Sequence, residues 1–156
     1  MNFEVVAICV STSKGVQKRP IETAVFRADW GIEGDAHAGH WHRQVSLLAE
    51  EVCLPAWQRV LRADPMVYAG PGAFGENILT RGVDWSRVDV GERIGIGAVK
   101  LEVTQLGKPL HQENAILRIT GESVLPDHGV FARVIQGGII NAGNRGCYHI
   151  GSRSRG

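Results

Sequence analysis

The chain has 156 residues, of which 44% are hydrophobic and 21% are charged. This length and composition fit one globular domain with its own core and exclude a disordered chain. Seventeen basic and sixteen acidic side chains give a formal net charge of +1, so no global field would hold the protein on nucleic acid or on an anionic membrane.

The cysteines and the apolar runs indicate the compartment. Cys9, Cys53 and Cys147 are widely spaced and odd in number, which fits neither a disulfide framework nor a zinc pattern, so we expect reduced thiols. The apolar runs are of strand length, and the amino end lacks a basic region followed by a long apolar stretch. We therefore expect no membrane span, no signal peptide and a cytoplasmic location.

The first predicted elements are strands. The segment "FEVVAICV" is almost entirely apolar and predicts a buried strand, and "PIETAVFRA" alternates in a way that predicts a second strand beside it. After a loop rich in histidine, "QVSLL" predicts a further strand. The helical spacing of "AEEVCLPAWQRVLRA" predicts a helix, which Pro55 would force to start late or to kink.

The second half of the chain also predicts mainly strands. "GPGAFGENILT" reads as a glycine-rich loop that enters a short strand, and "GERIGIGAVKLEVTQLG" contains two strands. "AILRI" fits a helical turn, while "VFARVIQ" predicts a strand whose return arm is "IIN" after the tight turn "GG". We expect a domain over residues 1–143 and an irregular tail over residues 144–156. The predicted fold is mostly β, a closed or nearly closed β-barrel with one or two short helices.

The segment "GIEGDAHAGHWHRQVSLL" holds His37, His40 and His42 within six positions. With Asp35 they could form a metal site, but structural zinc commonly uses separated ligand pairs and no cysteine lies near. A second interpretation is an anion pocket, in which loop glycines expose backbone N–H groups and Arg43 supplies a bidentate fork. Asp35 would then pin the loop or an imidazole N–H rather than contact the anion. A solvated loop without function is the third interpretation.

Two further segments carry candidate ligands. "GPGAFG" matches G-x-G-x-x-G, yet a proline lies inside it and a strand follows, so a dinucleotide site is not expected. Glu76 and Asn77 would instead present polar groups at the barrel mouth. Lys108 and His111 follow a strong strand, where they can reach a common rim, and Lys108 could be a phosphate ligand or an ordinary surface lysine. No nucleophile elbow or serine triad is readable.

Read in order, "KGVQKRPI", "GIEGDAHAGHWHRQVSLL", "GAFGENI", "LEVTQLGKPLH" and "GVFARVIQGG" resemble the small bacterial MOSC-domain proteins, relatives of the carboxyl-terminal domain of molybdenum cofactor sulfurase. The similarity runs from about Lys14 to Gly143. It implies a MOSC-type β-barrel with a site for the molybdenum cofactor (molybdopterin), a pterin phosphate that carries a metal dithiolene. The positions that match family motifs are Gly34, Asp35, His37, His42, Arg43, Gly75, Glu76, Asn77, Lys108 and His111.

The resemblance also implies partners. The first is the anionic pterin cofactor itself, and the others are a molybdoenzyme or a cysteine desulfurase. Pyridoxal phosphate is not expected, since no lysine lies in a recognisable Schiff-base context. No protein metal ligand, nucleic acid or membrane partner is predicted.

The sequence departs from the family at its thiols. Leu110 occupies the position where the family usually carries the cysteine associated with sulfur carriage or metal ligation, and Asn114 replaces a second cysteine of many small relatives. We therefore expect a cofactor-binding protein, associated with sulfur transfer or molybdoenzyme chemistry, that carries no sulfur itself. Two alternatives stay open: a molybdenum-dependent reductase of N-hydroxylated substrates, and a non-catalytic module that binds a cofactor or a partner. No catalytic residue is assigned.

Overall fold

The computed structural model describes residues 1–108 and 123–149, which contain eleven strands and two α-helices. The helices are α1 (Glu50–Ala63) and α2 (Val124–His128), and a 3₁₀ turn spans Trp85–Arg87. The strands are β1 (Asn2–Val10), β2 (Arg19–Ile21), β3 (Thr23–Arg27), β4 (Gly31–Ile32), β5 (Val45–Ala49), β6 (Ile78–Arg81), β7 (Arg93–Ile96), β8 (Val99–Leu106), β9 (Val130–Gln136), β10 (Gly138–Asn141) and β11 (Arg145–Tyr148).

Seven strands form a closed barrel in the order β11, β7, β8, β9, β5, β6, β1, and pairing of β1 with β11 closes the ring. Neighbours are antiparallel except β5 and β6, which run parallel because α1 connects them. β2 pairs with β1 outside the ring, and β10, β3 and β4 form a separate small sheet. The predicted mostly β fold with a closed barrel and two helices is confirmed.

Alternation along the strands produces two hydrophobic cores. Residues such as Val5, Leu47 and Ile78 fill the barrel interior. Their neighbours face outward and form a second core with α1 and α2 on one side of the barrel, made by Ala7, Cys9, Leu48, Cys53, Ala56, Leu79, Val124, Leu125 and Phe131. Phe74, from the loop that enters β6, packs against this outer core.

The helix α1 begins earlier than the sequence suggested. It starts at Glu50, directly after β5, so the expected late start is wrong and Pro55 is the sixth residue of the helix. Proline removes one intrahelical hydrogen bond. Burial of Cys53, Ala56 and Val60 stabilises the helix in spite of this loss. Within the two described ranges, no helix has the length and hydrophobicity that a membrane span requires.

The strand β10 does not return along β9 as a hairpin, which corrects the expectation for "IIN". It pairs with β3 instead, with Ile139 opposite Val25. The chain passes close to β3 at Gly137, where a Cβ atom would lie 2.4 Å from the carbonyl oxygen of Phe26. The turn at Gly137 therefore directs the chain into the small sheet, where it pairs with β3 rather than with β9.

The segment after Gly143 was expected to be irregular, yet Arg145–Tyr148 forms β11 and closes the barrel. Its polar and glycine residues hide this role in the sequence. Tyr148 is buried, and its hydroxyl donates to Glu92 Oε2 at 2.6 Å. Residues 150–156 of the predicted tail, and the predicted turn "AILRI", lie outside the described residues.

Barrel closure predicts an unequal response to alanine at two glycines that lie on adjacent strands. A Cβ at Gly146 would lie 2.1 Å from Cζ of Phe3, whereas a Cβ at Gly95 on β7 meets no heavy atom within 4 Å. We expect Gly146→Ala to lower the free energy of unfolding by about 1–3 kcal/mol through overpacking. Gly95→Ala, the matched control, should change it by about 0.5 kcal/mol or less. Urea unfolding of both variants checks this, and equal effects would contradict the packing at the seam.

Candidate functional site

Charged side chains from several loops lie close together where the chain enters β5. The contributing segments are residues 11–18 after β1, residues 35–43 before β5, residues 70–77 before β6, and residues 107–108 after β8. The strands hold these loops, because β1, β5, β6, β8 and β9 are neighbours in the barrel.

The centre of this region is a fully buried ion pair between Lys18 and Asp35. Lys18 Nζ lies 2.7 Å from Asp35 Oδ1, and both side chains have no exposed surface. The carboxylate also accepts from the backbone N–H of Ser11 and of His37, each at 3.1 Å. Asp35 therefore joins the loop before β5 to the loop after β1 through backbone N–H groups.

His37 lies on the outer side of this pair. Its Nδ1 is 3.0 Å from Lys18 Nζ, and its side chain is 29% exposed. Burial, together with the positive charge of Lys18, lowers the pKa of His37 from 6.5 to about 4. The ring stacks on Trp41 with centroids 6.4 Å apart, and Trp41 Nε1 donates to the carbonyl of His37 at 2.8 Å. The imidazole is therefore neutral at physiological pH.

Three further cations surround this centre. The guanidinium carbon of Arg43 lies 4.9 Å from the Trp41 ring centroid, and Lys14 Nζ lies 5.1 Å from the same centroid. Burial lowers the pKa of Lys108, and the nearby charge of Arg43 lowers it further. Within residues 1–108 and 123–149, Lys14, Arg43 and Lys108 form no ion pair with a carboxylate. Arg43 Nε is buried and has no hydrogen-bond partner there.

Glu76 and Asn77 do not present polar groups at the barrel mouth, so that expectation is wrong. Both are buried. The Glu76 carboxylate accepts from the N–H of Gly72 at 2.8 Å and closes the glycine-rich loop on itself. Asn77 accepts from the N–H of Ser46 and donates to the carbonyl of Cys9, at 3.0 Å each, and so ties β6 to β5 and β1. Both residues therefore stabilise the backbone of neighbouring loops and strands rather than facing a ligand.

The remaining predicted positions are loop and rim residues. Gly34 and Gly75 have positive φ of +87° and +89° and act as turns. His42 Nε2 lies 2.9 Å from Gln105 Oε1, and the carbonyl of His42 accepts from the hydroxyl of Thr104. His111, like Leu110 and Asn114, lies outside the described residues.

The three histidines of the loop have different partners. His37 contacts Lys18, His40 Nδ1 lies 2.8 Å from the carbonyl oxygen of Asp29, and His42 contacts Gln105. No group of three or more His, Cys, Asp or Glu side chains in the described residues is placed to hold a metal ion. The N–H of Gly39 is also occupied, because it donates to the carbonyl of Trp30 at 2.8 Å. This loop-glycine N–H group of the predicted anion pocket is therefore not available to an anion.

A cavity of about 1020 Å³ lies at the end of the barrel where β5, β6 and β8 finish. Its lining includes Ala49, Gly82, Leu106, Lys108 and Val130. The described lining shares Lys108 with the cation cluster but contains neither Arg43 nor His37. The charge cluster and the cavity thus meet at Lys108, and the charge rather than the volume marks the candidate site.

The cysteines differ in accessibility. Cys9 and Cys53 are buried in the outer core, and burial strongly raises the pKa of both thiols. Cys147 on β11 is half-buried, with its Sγ 3.5 Å from Nε2 of His149. The thiolate is the reactive form of cysteine, so Cys9 and Cys53 are chemically inert.

Sequence reasoning missed Lys18 and gave Trp41 no role. Lys18 lies inside the quoted segment "KGVQKRPI", but nothing in its sequence context marks it as buried, and lysine is rarely buried without a partner. Asp35 in the next loop was the available signal, because a carboxylate that pins a loop needs a donor. Trp41 stands between His40 and His42 in sequence, and in the structure it contacts His37, Lys14 and Arg43.

The protein is a small closed β-barrel with a cluster of cationic side chains on its loops. The profile of the MOSC domain matches residues 34–145. Among solved structures, the chain is similar to the YUAD protein from Bacillus subtilis, with 17% identity, a TM-score of 0.71 and 94% coverage of both chains. It is also similar to YiiM from Escherichia coli, with 22% identity, a TM-score of 0.66, and coverage of 98% of this chain and 71% of that one.

A third similar structure is YiiM from Geobacillus stearothermophilus, with 18% identity, a TM-score of 0.62, and coverage of 94% of this chain and 75% of that one. A comparison with curated protein sequences gives no match. The likeness to the solved structures supports the fold. The profile match covers most of the chain, and the protein therefore belongs to the MOSC domain family, whose members are associated with the molybdenum cofactor.

The site predicts an unusual dependence of stability on pH, because two buried groups act in opposite directions. Burial raises the pKa of Glu76 from 4.5 to about 7, so the folded state keeps a proton there and loses stability as pH rises through this window. The lowered pKa of His37 makes the folded state lose stability as pH falls from 6.5 towards 4. In the wild type, these two slopes largely cancel between about pH 5 and 6.

Removing the contribution of Glu76 should leave the pH dependence of stability that His37 causes. In Glu76→Gln, the free energy of unfolding should rise with pH between pH 5 and 6 by about 1 kcal/mol per pH unit, a little less than the roughly 1.4 kcal/mol per unit that one full proton gives. Chemical denaturation at closely spaced pH values measures this, with Glu33→Gln, an exposed loop carboxylate, as the control. The same slope in both variants would contradict the assignment to Glu76.

Proposed function

We propose that this protein binds the molybdenum cofactor or a similar anionic pterin, and that it carries no sulfur on a cysteine of its own. The observation that supports the proposal is the group of Lys14, Arg43 and Lys108 without carboxylate partners among the described residues. Like charges held close together are unfavourable unless an anion joins them. A bound anion would relieve this repulsion.

The chemistry of the donors fits a phosphate. Arg43 offers a planar guanidinium whose buried Nε has no partner among the described residues, and an unsatisfied buried donor costs free energy. A phosphate oxygen would accept from it, while Lys108 would supply a point charge. Under this proposal Arg43 and Lys108 hold the phosphate, and Lys14 and His37 lie at its edge. The cofactor, when bound, supplies the redox or sulfur chemistry associated with the family.

The lack of a sulfur carrier follows from the thiols. Leu110 cannot hold a persulfide, and Cys9 and Cys53 are buried with raised pKa values. The proposal places the protein in the cytoplasm, where its three thiols stay reduced, with a molybdoenzyme or a cysteine desulfurase as its partner. Its part would be to bind the cofactor rather than to transfer sulfur.

The proposal predicts that cofactor content depends on the clustered cations. When the wild type is purified anaerobically from cells that make the cofactor, it should contain molybdenum and pterin. Lys108→Met should weaken retention by roughly 10- to 100-fold, the effect of one charge-assisted hydrogen bond. Elemental analysis and fluorescence of the oxidised pterin measure both components.

A matched control is available on β8, the strand that leads to Lys108. Lys100 is an exposed residue near the opposite end of β8, so Lys100→Met removes the same charge without touching the site. Its cofactor content should equal that of the wild type. Folded wild-type protein without molybdenum and without pterin would refute the proposal, and equal losses in both variants would refute the site.

The thiols give a separate prediction. Brief treatment of the folded protein with iodoacetamide should label Cys147, whereas Cys9 and Cys53 should react only after denaturation, because burial suppresses their thiolates. Peptide mass mapping measures the three sites. After incubation with a cysteine desulfurase and its cysteine substrate, no cysteine should carry added sulfur, and a persulfide on Cys147 would instead support sulfur transfer as the function.

A further inference from the structure

The ammonium of Lys18 has three hydrogens and three partners. These are Asp35 Oδ1 at 2.7 Å, His37 Nδ1 at 3.0 Å and Ser11 Oγ at 3.1 Å. The hydroxyl of Ser11 donates its own hydrogen to the carbonyl of Ser13 at 2.9 Å, so Ser11 Oγ must accept from Lys18. Two of the three ammonium hydrogens are thus assigned, and the third points to His37.

A donor at Lys18 determines where the imidazole carries its proton. Nδ1 must offer its lone pair, so the single proton of the neutral ring is on Nε2. Asp35 does not compete for a proton on Nδ1, because Asp35 Oδ2 lies 3.9 Å away and accepts from the backbone N–H of His37 instead. The ring edge with Nε2 is the one away from the buried pair.

We propose that Lys18 is a positioning residue, which holds His37 as the neutral tautomer with its proton on Nε2, so that His37 offers a hydrogen-bond donor to the anion between Arg43 and Lys108. This inference rests on the proposed function for the anion. It goes further, because it assigns a task to a lysine whose own charge is paired with Asp35 and is not available to a ligand.

The surroundings of His37 favour a donor without charge. Lys18, Lys14 and Lys108 all act on the ring with positive charge, and Asp35 is the opposing carboxylate. Protonation would add a fourth positive charge beside these lysines. The ring therefore keeps one donor from about pH 5 upwards, and anion binding should not depend on the protonation of His37 between pH 5.5 and 7.5.

The tautomer can be measured without any ligand. In protein labelled with ¹⁵N-histidine, two-bond ¹H–¹⁵N correlation spectra distinguish a proton on Nε2 from one on Nδ1. The wild type should show His37 with its proton on Nε2 at pH 6 and pH 8. In Lys18→Met, the ring should populate both tautomers and its pKa should move towards the ordinary value. A wild-type ring with its proton on Nδ1 would overturn the proposal.

The matched control is Lys14→Met. It removes one of the charges that act on His37, yet Lys14 has no hydrogen bond with the ring. The tautomer should stay unchanged in this variant. A change in tautomer population equal to that in Lys18→Met would show that nearby charge, rather than the hydrogen bond from Lys18, determines the tautomer, and would contradict the proposal. If Lys18→Met does not fold, the double variant Lys18→Met with Asp35→Asn removes the unpaired buried carboxylate and should show the same mixture of tautomers.

Sulfate serves as the probe of the donor role. Added sulfate should shift the Nε2–H resonance of His37, with an affinity that changes less than twofold between pH 5.5 and 7.5. No shift would overturn the donor role even where the tautomer is as proposed. Absence of molybdenum and pterin from purified protein would instead refute the cofactor, while a sulfate-dependent shift would keep the anion site and the action of Lys18.

Discussion

The buried ion pair between Lys18 and Asp35 is the interaction on which the candidate site depends. Removing two charges from water costs several kcal/mol for each ion, and removing one partner of such a pair typically costs about 3–5 kcal/mol. Here, the carboxylate has two backbone N–H donors besides the ammonium, and the ammonium has three acceptors. With these hydrogen bonds satisfied, the pair joins two loops, residues 11–18 after β1 and residues 35–43 before β5.

The pairing also decides which charges remain for a ligand. The chain as a whole is almost neutral, with a formal charge of +1. Locally, Lys18 is paired with Asp35, while Lys14, Arg43 and Lys108 lie around it without a carboxylate among the described residues. The positive site therefore comes from local arrangement, which composition cannot reveal. The aromatic rings of Trp41 and Phe131 beside Arg43 hold the guanidinium without neutralising it.

Much of the fold was readable because strand alternation is a local property, and β1, β5, β6, β7, β8 and β9 lie where the apolar patterns predicted them. The β11 strand was not readable, since its inward residues are Gly146, which fits against Phe3, and Tyr148, whose hydroxyl needs Glu92. These are contacts between distant segments. The site shows the same limit: residue types indicated an anion pocket, but the burial of Lys18 and the bracing by Asn77 depend on tertiary partners.

The chain keeps a charged site but lacks the usual cysteine, and this difference limits the chemistry that it can perform. A scaffold that holds cations and a neutral imidazole donor in place is useful for binding an anion with or without a nucleophile, whereas sulfur carriage needs an accessible thiolate. Leu110 supplies none, and the thiols of Cys9 and Cys53 are shielded within the outer core. Under the proposed function, a binding role accounts for the architecture that is present, and a relay of sulfur would have to pass through Cys147, where β11 meets β1.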